Sequence, residues 1–497
     1  MKKQQALNPY LPLGTYIPDG EPHVFEDRLY VFGSHDQEGG SAFCELPYEC
    51  WSAPVEDLAA FRCEGTIYRP EQDPDYSEKL CRLYAPDVVR GPDGRYYLYY
   101  AMSGKKTFTG PIHVAVCDTP AGNYEYYGAV RTPDGKALDW GITFDPAVFN
   151  DDGEIWLYYG WSLGFGRELS RLSKWLLRVG QSLTSRKKQT AASGRRASPM
   201  GANAVRLSSD MLTVIGEPQR IVPGQPEAEG TSFAGHAFFE ASSMRKIGET
   251  YYFIYSSQHQ HELCYATSRY PDRDFTYGGV IVSNGDIGLK GRGAKDRVCV
   301  TGNNHGSIEK IGNDWYVFYH RHTHKTTYSR QGCAERISFL PDGTIPQTEI
   351  TSCGLNGGPL RAEGNYPAAI CCSLTNGKMP HQTTAPIKKV LPHITHRGEE
   401  RFIGEISEGT RIGYKYFSFN GRHRFGICYR GTGAGVFSVF VGHSPQAGIT
   451  VLPAAEWTQA WAEINADGTQ SLSLVYHGSG QIELKDIQFE LIQAENK

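Results

Sequence analysis

A short run of aromatic and aliphatic residues recurs five times along the chain: Leu29-Tyr30-Val31-Phe32, Tyr96-Tyr97-Leu98-Tyr99, Ile155-Trp156-Leu157-Tyr158, Tyr251-Tyr252-Phe253-Ile254 and Trp315-Tyr316-Val317-Phe318. Most follow a polar turn, such as Pro92-Asp93-Gly94-Arg95, Asp151-Asp152-Gly153-Glu154 or Gly312-Asn313-Asp314. Each run has the length and residue types of a buried strand. Their spacing is roughly sixty residues, on the order of the periods that mark propellers. The pattern predicts an all-β protein beginning with a five-bladed β-propeller. After His393 the pattern changes to clean alternation, as in Arg411-Ile412-Gly413-Tyr414 and Ser471-Leu472-Ser473-Leu474-Val475-Tyr476. Several short strands without a helical stretch predict a β-sandwich of jelly-roll-like type.

These changes divide the chain into a propeller over 1–352, a Gly/Pro/Asn/Thr-rich connector over 353–392 and a sandwich over 393–497. The gap between the third and fourth repeats is longer than the others. The excess falls on Arg167–Pro199, where a short amphipathic helix with Leu169, Leu172, Leu176 and Leu177 on one side is expected to lead into a basic, solvated loop.

Composition narrows the function classes. A chain of 497 residues with 50 basic and 54 acidic side chains carries a net charge of -4. No bulk field favours nucleic acid or an anionic membrane. No run approaches the ~18 apolar residues of a membrane span. The start, Met1-Lys2-Lys3-Gln4-Gln5-Ala6, lacks an apolar signal core, and the 12 cysteines lack zinc or CxxC spacing. A cytoplasmic protein with free, buried thiols is expected.

Three acids stand in unusual company. Asp19 lies in Ile17-Pro18-Asp19-Gly20-Glu21, Asp145 in Phe144-Asp145-Pro146-Ala147-Val148-Phe149, and Glu240 in Phe238-Phe239-Glu240-Ala241-Ser242-Ser243. Each precedes a repeat strand, so on a propeller all three would converge near the axis. A carboxylate set among aromatics is costly unless it has a partner or a purpose. Hydrolysis of a glycosidic bond requires two carboxyl groups flanking it, and a third can hold the proton donor's pKa up.

The ordered motifs resemble glycoside hydrolase family 43. Asp19-Gly20-Glu21-Pro22 with Arg28-Leu29-Tyr30-Val31-Phe32-Gly33 is similar to the family's first-blade motif. Tyr84-Ala85-Pro86-Asp87-Val88 resembles the second, with Tyr84 where Trp is usual. Asp145-Pro146-Ala147-Val148-Phe149 resembles the third, Glu240-Ala241-Ser242-Ser243 the fourth and Asn304-His305-Gly306-Ser307-Ile308 the fifth. The resemblance implies a five-bladed propeller glycosidase acting on oligosaccharides, with α-L-arabinofuranosidase and β-D-xylosidase as its commonest activities. It implies Asp19 as general base, Asp145 as the residue that orients the acid and raises its pKa, and Glu240 as proton donor. Glu21 is an alternative base, because the family often reads Asp-Pro where this chain has Asp19-Gly20-Glu21-Pro22. Retaining propeller relatives carry Arg before the middle acid, and Phe144 stands there in this chain. The resemblance therefore implies inversion, for which the two carboxyls stand ~6.5–9.5 Å apart.

Secondary candidates are His305, Arg330, Asp87 and His35 for substrate binding. His35-Asp36 and His320-Arg321-His322 follow repeat strands and are placed at the rim, and their spacing lacks a zinc pattern. No cofactor is required. The family resemblance admits a structural calcium near the propeller axis, with His305 as a candidate ligand. The C-terminal domain resembles a family 6 carbohydrate-binding module, with Trp457 and Trp461 either stacking on sugar or buried in its core. Two rival readings stand beside the hydrolase: a propeller phosphorylase, which would need a basic phosphate pocket, and a non-catalytic carbohydrate-binding propeller.

Overall fold

The computed structural model describes residues 4–104, 110–163, 172, 175–176, 198–225, 227–382 and 390–492. Most of the basic insertion read at Arg167–Pro199 lies outside these residues; of it, Leu172, Trp175 and Leu176 are helical and exposed. The five repeats form five antiparallel sheets arranged as propeller blades. Blade one is built from Glu21–Phe25, Arg28–Phe32, Tyr48–Pro54 and Arg62–Tyr68. Blade two contains Arg82–Leu83, Asp87–Arg90, Tyr96–Ser103, Ile112–Cys117 and Glu125–Ala129. Blade three contains Ala147–Asp151, Glu154–Trp161, Gly201–Leu207 and Val214–Pro223, and blade four Phe238–Ile247, Thr250–Ser257, Glu262–Ser268 and Thr276–Ser283. Blade five has three strands, Ile308–Ile311, Asp314–His322 and Arg330–Ile337.

Each recurrent aromatic run lies on the strand paired with its blade's innermost strand, and its composition follows from burial on both faces. Side chains alternate across a strand. Tyr96, Leu98 and Tyr100 therefore face the seam with blade one, while Tyr97 and Tyr99 face the seam with blade three. Equivalent cores fill the seams between blades three and four, four and five, and five and one. The turn before the third run shows the local chemistry. Asp151 pairs with Glu154, leaving Asp152 (φ 50°) and Gly153 (φ 97°) in the left-handed pair that a two-residue hairpin favours.

The N-terminal segment closes the ring on blade five. Asn8 imitates a strand neighbour: its Nδ2 donates to Ala334 O (2.8 Å) and its Oδ1 accepts from Ala334 N (2.9 Å). Two residues on, Tyr10 N donates to Gly332 O at 3.3 Å.

The C-terminal strands form one continuous ten-stranded sheet, where separate short strands were expected. The difference lies in Arg411–Gly431 and Ala454–Ser479, of 21 and 26 residues, which run the full width of the domain as a pair. Gly421 (φ 101°) and Gly468 (φ 72°) read as breaks in sequence but act as bends within these strands. One end of the pair meets Ile482–Leu491, the other Ala434–Val441, and both ends contribute to a single core. The sheet is thus folded over on itself. Leu360–Arg361, Gly364–Pro367 and Ser373–Thr375, within the connector stretch, also pair with this sheet.

The expected tryptophans are half-buried in the C-terminal domain. The Arg430 guanidinium lies over the Trp457 ring (4.1 Å) and that of Arg424 over Trp461 (4.8 Å). Each indole thus already has a cation on one face. All 12 cysteines are free, and no helix among the described residues is long and apolar enough to cross a membrane.

Candidate active site

Asp19 and Asp145 sit just ahead of the innermost strands of blades one and three. Both have left-handed backbone, at φ 57° and 44°, a conformation that aspartate tolerates better than bulkier residues. Glu240 differs from the expected placement before a strand. It lies inside the innermost strand of blade four, Phe238–Ile247, where the register with Thr250–Ser257 slips on either side of it and Ala241 takes φ 72°. Such a bulge twists a strand locally and re-aims the side chain beside it. All three acids are buried.

Their surroundings differ. Asp19 Oδ1 accepts from Arg330 Nη1 at 2.9 Å and lies 3.2 Å from His320 Nδ1. Burial alone would raise its pKa, but the adjacent Arg330 guanidinium overrides burial and holds the carboxyl well below the usual range. Arg330 is itself fixed from behind: Nε and Nη2 donate to the two oxygens of buried Asp36 at 2.8 and 3.0 Å, and the guanidinium lies over Phe43. Glu240 has no such salt bridge among the described residues. Burial, followed by the negative charge of Asp19, pushes its pKa up to about 8, against the opposing Arg330 charge and a hydrogen bond from Asn303. Asp145 is also pushed up, by burial and then by the charges of Glu240 and Asp19. Its Oδ2 accepts from Ala241 N at 3.2 Å, tying it to the peptide that follows Glu240.

The arrangement pairs a carboxylate held ionised with a carboxyl held protonated at neutral pH. Acid–base catalysis on one bond needs that division. The pH profile should follow from it. kcat/KM should fall as pH rises through about 8, where Glu240 loses its proton. With Asp19 as the base, the acid limb should lie below the ordinary carboxylate range, where the Arg330 guanidinium holds its carboxyl. A pH series on a slow substrate checks both limbs.

The other expected residues have specific places. Arg330 was expected on sugar hydroxyls; its Nε, Nη1 and Nη2 all find acceptors in Asp36 and Asp19. Asp87 accepts at Oδ1 from Val88 N and contacts His23 Nε2, both at 2.7 Å, and at Oδ2 accepts from Val148 N at 2.7 Å. It therefore stitches together the innermost strands of blades one, two and three. His35 Nδ1 is bonded to Pro47 O at 2.9 Å within the loop that carries Asp36. His305 is buried with Nδ1 3.6 Å from Asp145 Oδ2, and burial lowers its pKa to about 4. Glu21, the alternative base, accepts from Ser243 Oγ and pairs with Arg245 Nη1, both at 2.9 Å, beside Ser307.

Asn303 was missed, Asp36 was placed only at the rim, and so was His320. Only its position, at the end of a repeat strand like His35-Asp36, hinted at a link to the first blade. Calcium takes ~6–8 oxygen ligands. Around His305, Asp145 Oδ2 lies 3.6 Å from Nδ1, Asp19 is paired with Arg330, Asp87 is bonded to His23, Val88 and Val148, and the neighbouring Glu21 already holds Arg245 and Ser243. These residues do not fit a protein-caged calcium, and no chemical step is drawn through one.

The model of glycosyl hydrolases family 43 matches residues 18–345, a span that includes all three acids and Arg330. The chain belongs to this family. It is 44% identical to a xylosidase/arabinosidase of Thermoclostridium stercorarium over 502 aligned positions, covering 97% of this chain and 98% of that one. A β-xylosidase of Xylanibacter ruminicola is 28% identical, covering 68% of this chain and 98% of that one. Among solved structures, a family 43 enzyme of Xanthomonas citri complexed with xylose superposes with a TM-score of 0.50 at 25% identity, covering 69% of this chain and 93% of that one. This family 43 protein is a glycoside hydrolase on a five-bladed propeller, with a large C-terminal sheet domain.

Proposed function

We propose that this family 43 enzyme releases terminal pentose, β-D-xylosyl or α-L-arabinofuranosyl, from short oligosaccharides with inversion of configuration. The observation that carries the reading is the opposite protonation of two buried carboxyls, Asp19 held ionised by Arg330 and Glu240 raised to about 8. The names of the xylosidase/arabinosidase relatives and the xylose-bound neighbour support pentose as the sugar class. Asp19 accepts a proton from water as its oxygen attacks the anomeric carbon. The glycosidic C–O bond breaks, and Glu240 gives its proton to the leaving oxygen. Asp145 steadies the Glu240–Ala241 peptide by accepting from Ala241 N.

The phosphorylase alternative needs a free cation for phosphate, whereas Arg330, the cation beside the acids, is committed to Asp19 and Asp36. A non-catalytic binding propeller gains nothing from a carboxyl held protonated at neutral pH. Proton NMR of the first product decides the mechanism. A nitrophenyl β-xyloside or α-arabinofuranoside should give the opposite anomer before mutarotation, and nitrophenyl hexosides should react far more slowly. A first product of retained configuration, or a trapped glycosyl-enzyme, would refute inversion.

A further inference from the structure

A second constellation lies where the C-terminal domain meets the mouth of the propeller. His324 stands two residues past the end of the blade-five strand Asp314–His322, Glu38 stands on the blade-one loop that carries Asp36, and His396 lies on the C-terminal strand His393–Arg397. One ligand atom from each, two imidazole nitrogens and a carboxylate oxygen, lies within 4.8 Å of the other two. His396 Nδ1 is 3.2 Å from Glu38 Oε1. The decisive feature is His324. It is only 8% exposed, and neither ring nitrogen has a hydrogen-bond partner. A buried imidazole with both nitrogens unsatisfied costs free energy and calls for a missing partner. The ring is seated tightly, since a Cβ on Gly39 would meet its Cε1 at 3.4 Å.

We propose that His324, His396 and Glu38 form a binding site for a divalent transition-metal ion of the zinc class, which joins the C-terminal domain to the propeller. Two imidazoles and one carboxylate form a ligand set that zinc accepts, with a fourth position left for water. Zinc–ligand bonds of ~2.0–2.2 Å place tetrahedral ligand atoms ~3.3–3.6 Å apart. The His396–Glu38 pair is already near that separation. The His324 nitrogen lies within 4.8 Å of both and closes in on a bound ion. Its neutral ring, with a pKa lowered to about 4 by burial and the neighbouring histidines, is in the ligating form. Arg401 Nη2 holds the second oxygen of Glu38 at 2.9 Å, and Tyr16 donates to Oε1 at 3.4 Å. Arg401 thereby orients Glu38 to offer a single oxygen, as second-layer partners of metal ligands do, although its charge weakens the site. Calcium is disfavoured by the two nitrogens. The ligands are scattered over three parts of the chain, so no local spacing could display them.

Titration of the metal-stripped full-length protein with zinc chloride, followed by calorimetry, tests the site. One zinc ion per chain should bind, and His396→Ala and His324→Ala should each weaken binding by at least ~10–100-fold. The His396 side chain is 37% exposed, so its removal should leave the fold intact and keep the test meaningful if His324→Ala misfolds. Cobalt(II) in place of zinc should give visible ligand-field bands without a thiolate charge-transfer band. That band would instead assign the metal to the His236–Glu262–Cys264 group in blade four. Absence of stoichiometric binding, a thiolate band, or binding unchanged by His396→Ala would overturn the proposal.

Discussion

Replacing Glu240 by glutamine should lower turnover on an unactivated disaccharide by about 10²–10⁴-fold, the range that general acid–base catalysis supplies. Glutamine preserves size and the contact with Asn303 but carries no transferable proton. The loss should shrink as the leaving group improves, because a nitrophenolate or dinitrophenolate departs without protonation. A plot of log kcat against leaving-group pKa should therefore be steep for the variant and shallow for the parent enzyme. Near-normal turnover on the disaccharide would remove Glu240 from the acid's role. The folded protein should be no less stable above pH 8, because the variant no longer has a carboxyl whose ionisation burial opposes. A carboxyl whose folded pKa is raised contributes stability below its unfolded pKa and loses it as pH rises. Glutamine has no such dependence.

Replacing Arg330 by methionine should have the largest effect on stability. Arg330 is the shared cation of Asp19 and Asp36, both buried. Removing one partner of a buried ion pair typically costs ~3–5 kcal/mol, because a charge is left uncompensated. Denaturant unfolding should show a loss of that size at pH 7. Asp19 has a depressed folded pKa, so its contribution is present above the unfolded value and disappears as pH falls. The destabilisation should therefore be greater at pH 7 than at pH 4, where the orphaned carboxyls can take up protons. Activity should respond in the same direction, the acid limb of kcat/KM moving up as Asp19 loses the guanidinium. Arg330→Lys should recover part of the stability but not the acid limb, because an ammonium cannot serve Asp36 through two nitrogens while also reaching Asp19. An equal loss at both pH values would mean that Arg330 acts through packing alone.

Much of this molecule was legible in the chain. The five aromatic runs are continuous because each is buried on both faces, and burial between two blades leaves no polar face to interrupt the pattern. Asp19, Asp145 and Glu240 were visible because acids embedded in apolar stretches break that pattern. The roles of Arg330, Asp36 and His320 were not visible. Arg330 stands 311 residues from Asp19 and 294 from Asp36, and nothing local in either sequence records that their side chains meet where the last blade closes on the first. The C-terminal domain shows the same limit: Asn420-Gly421 and Asp467-Gly468 carry the composition of turns, yet packing on a shared core holds both within long bent strands. Periodicity and burial act locally along the chain, so the strands, the number of blades and the acids set within them can be read from it directly. Which acid is held ionised and which protonated depends on charges and desolvation that ring closure brings together, and no stretch of the chain records it.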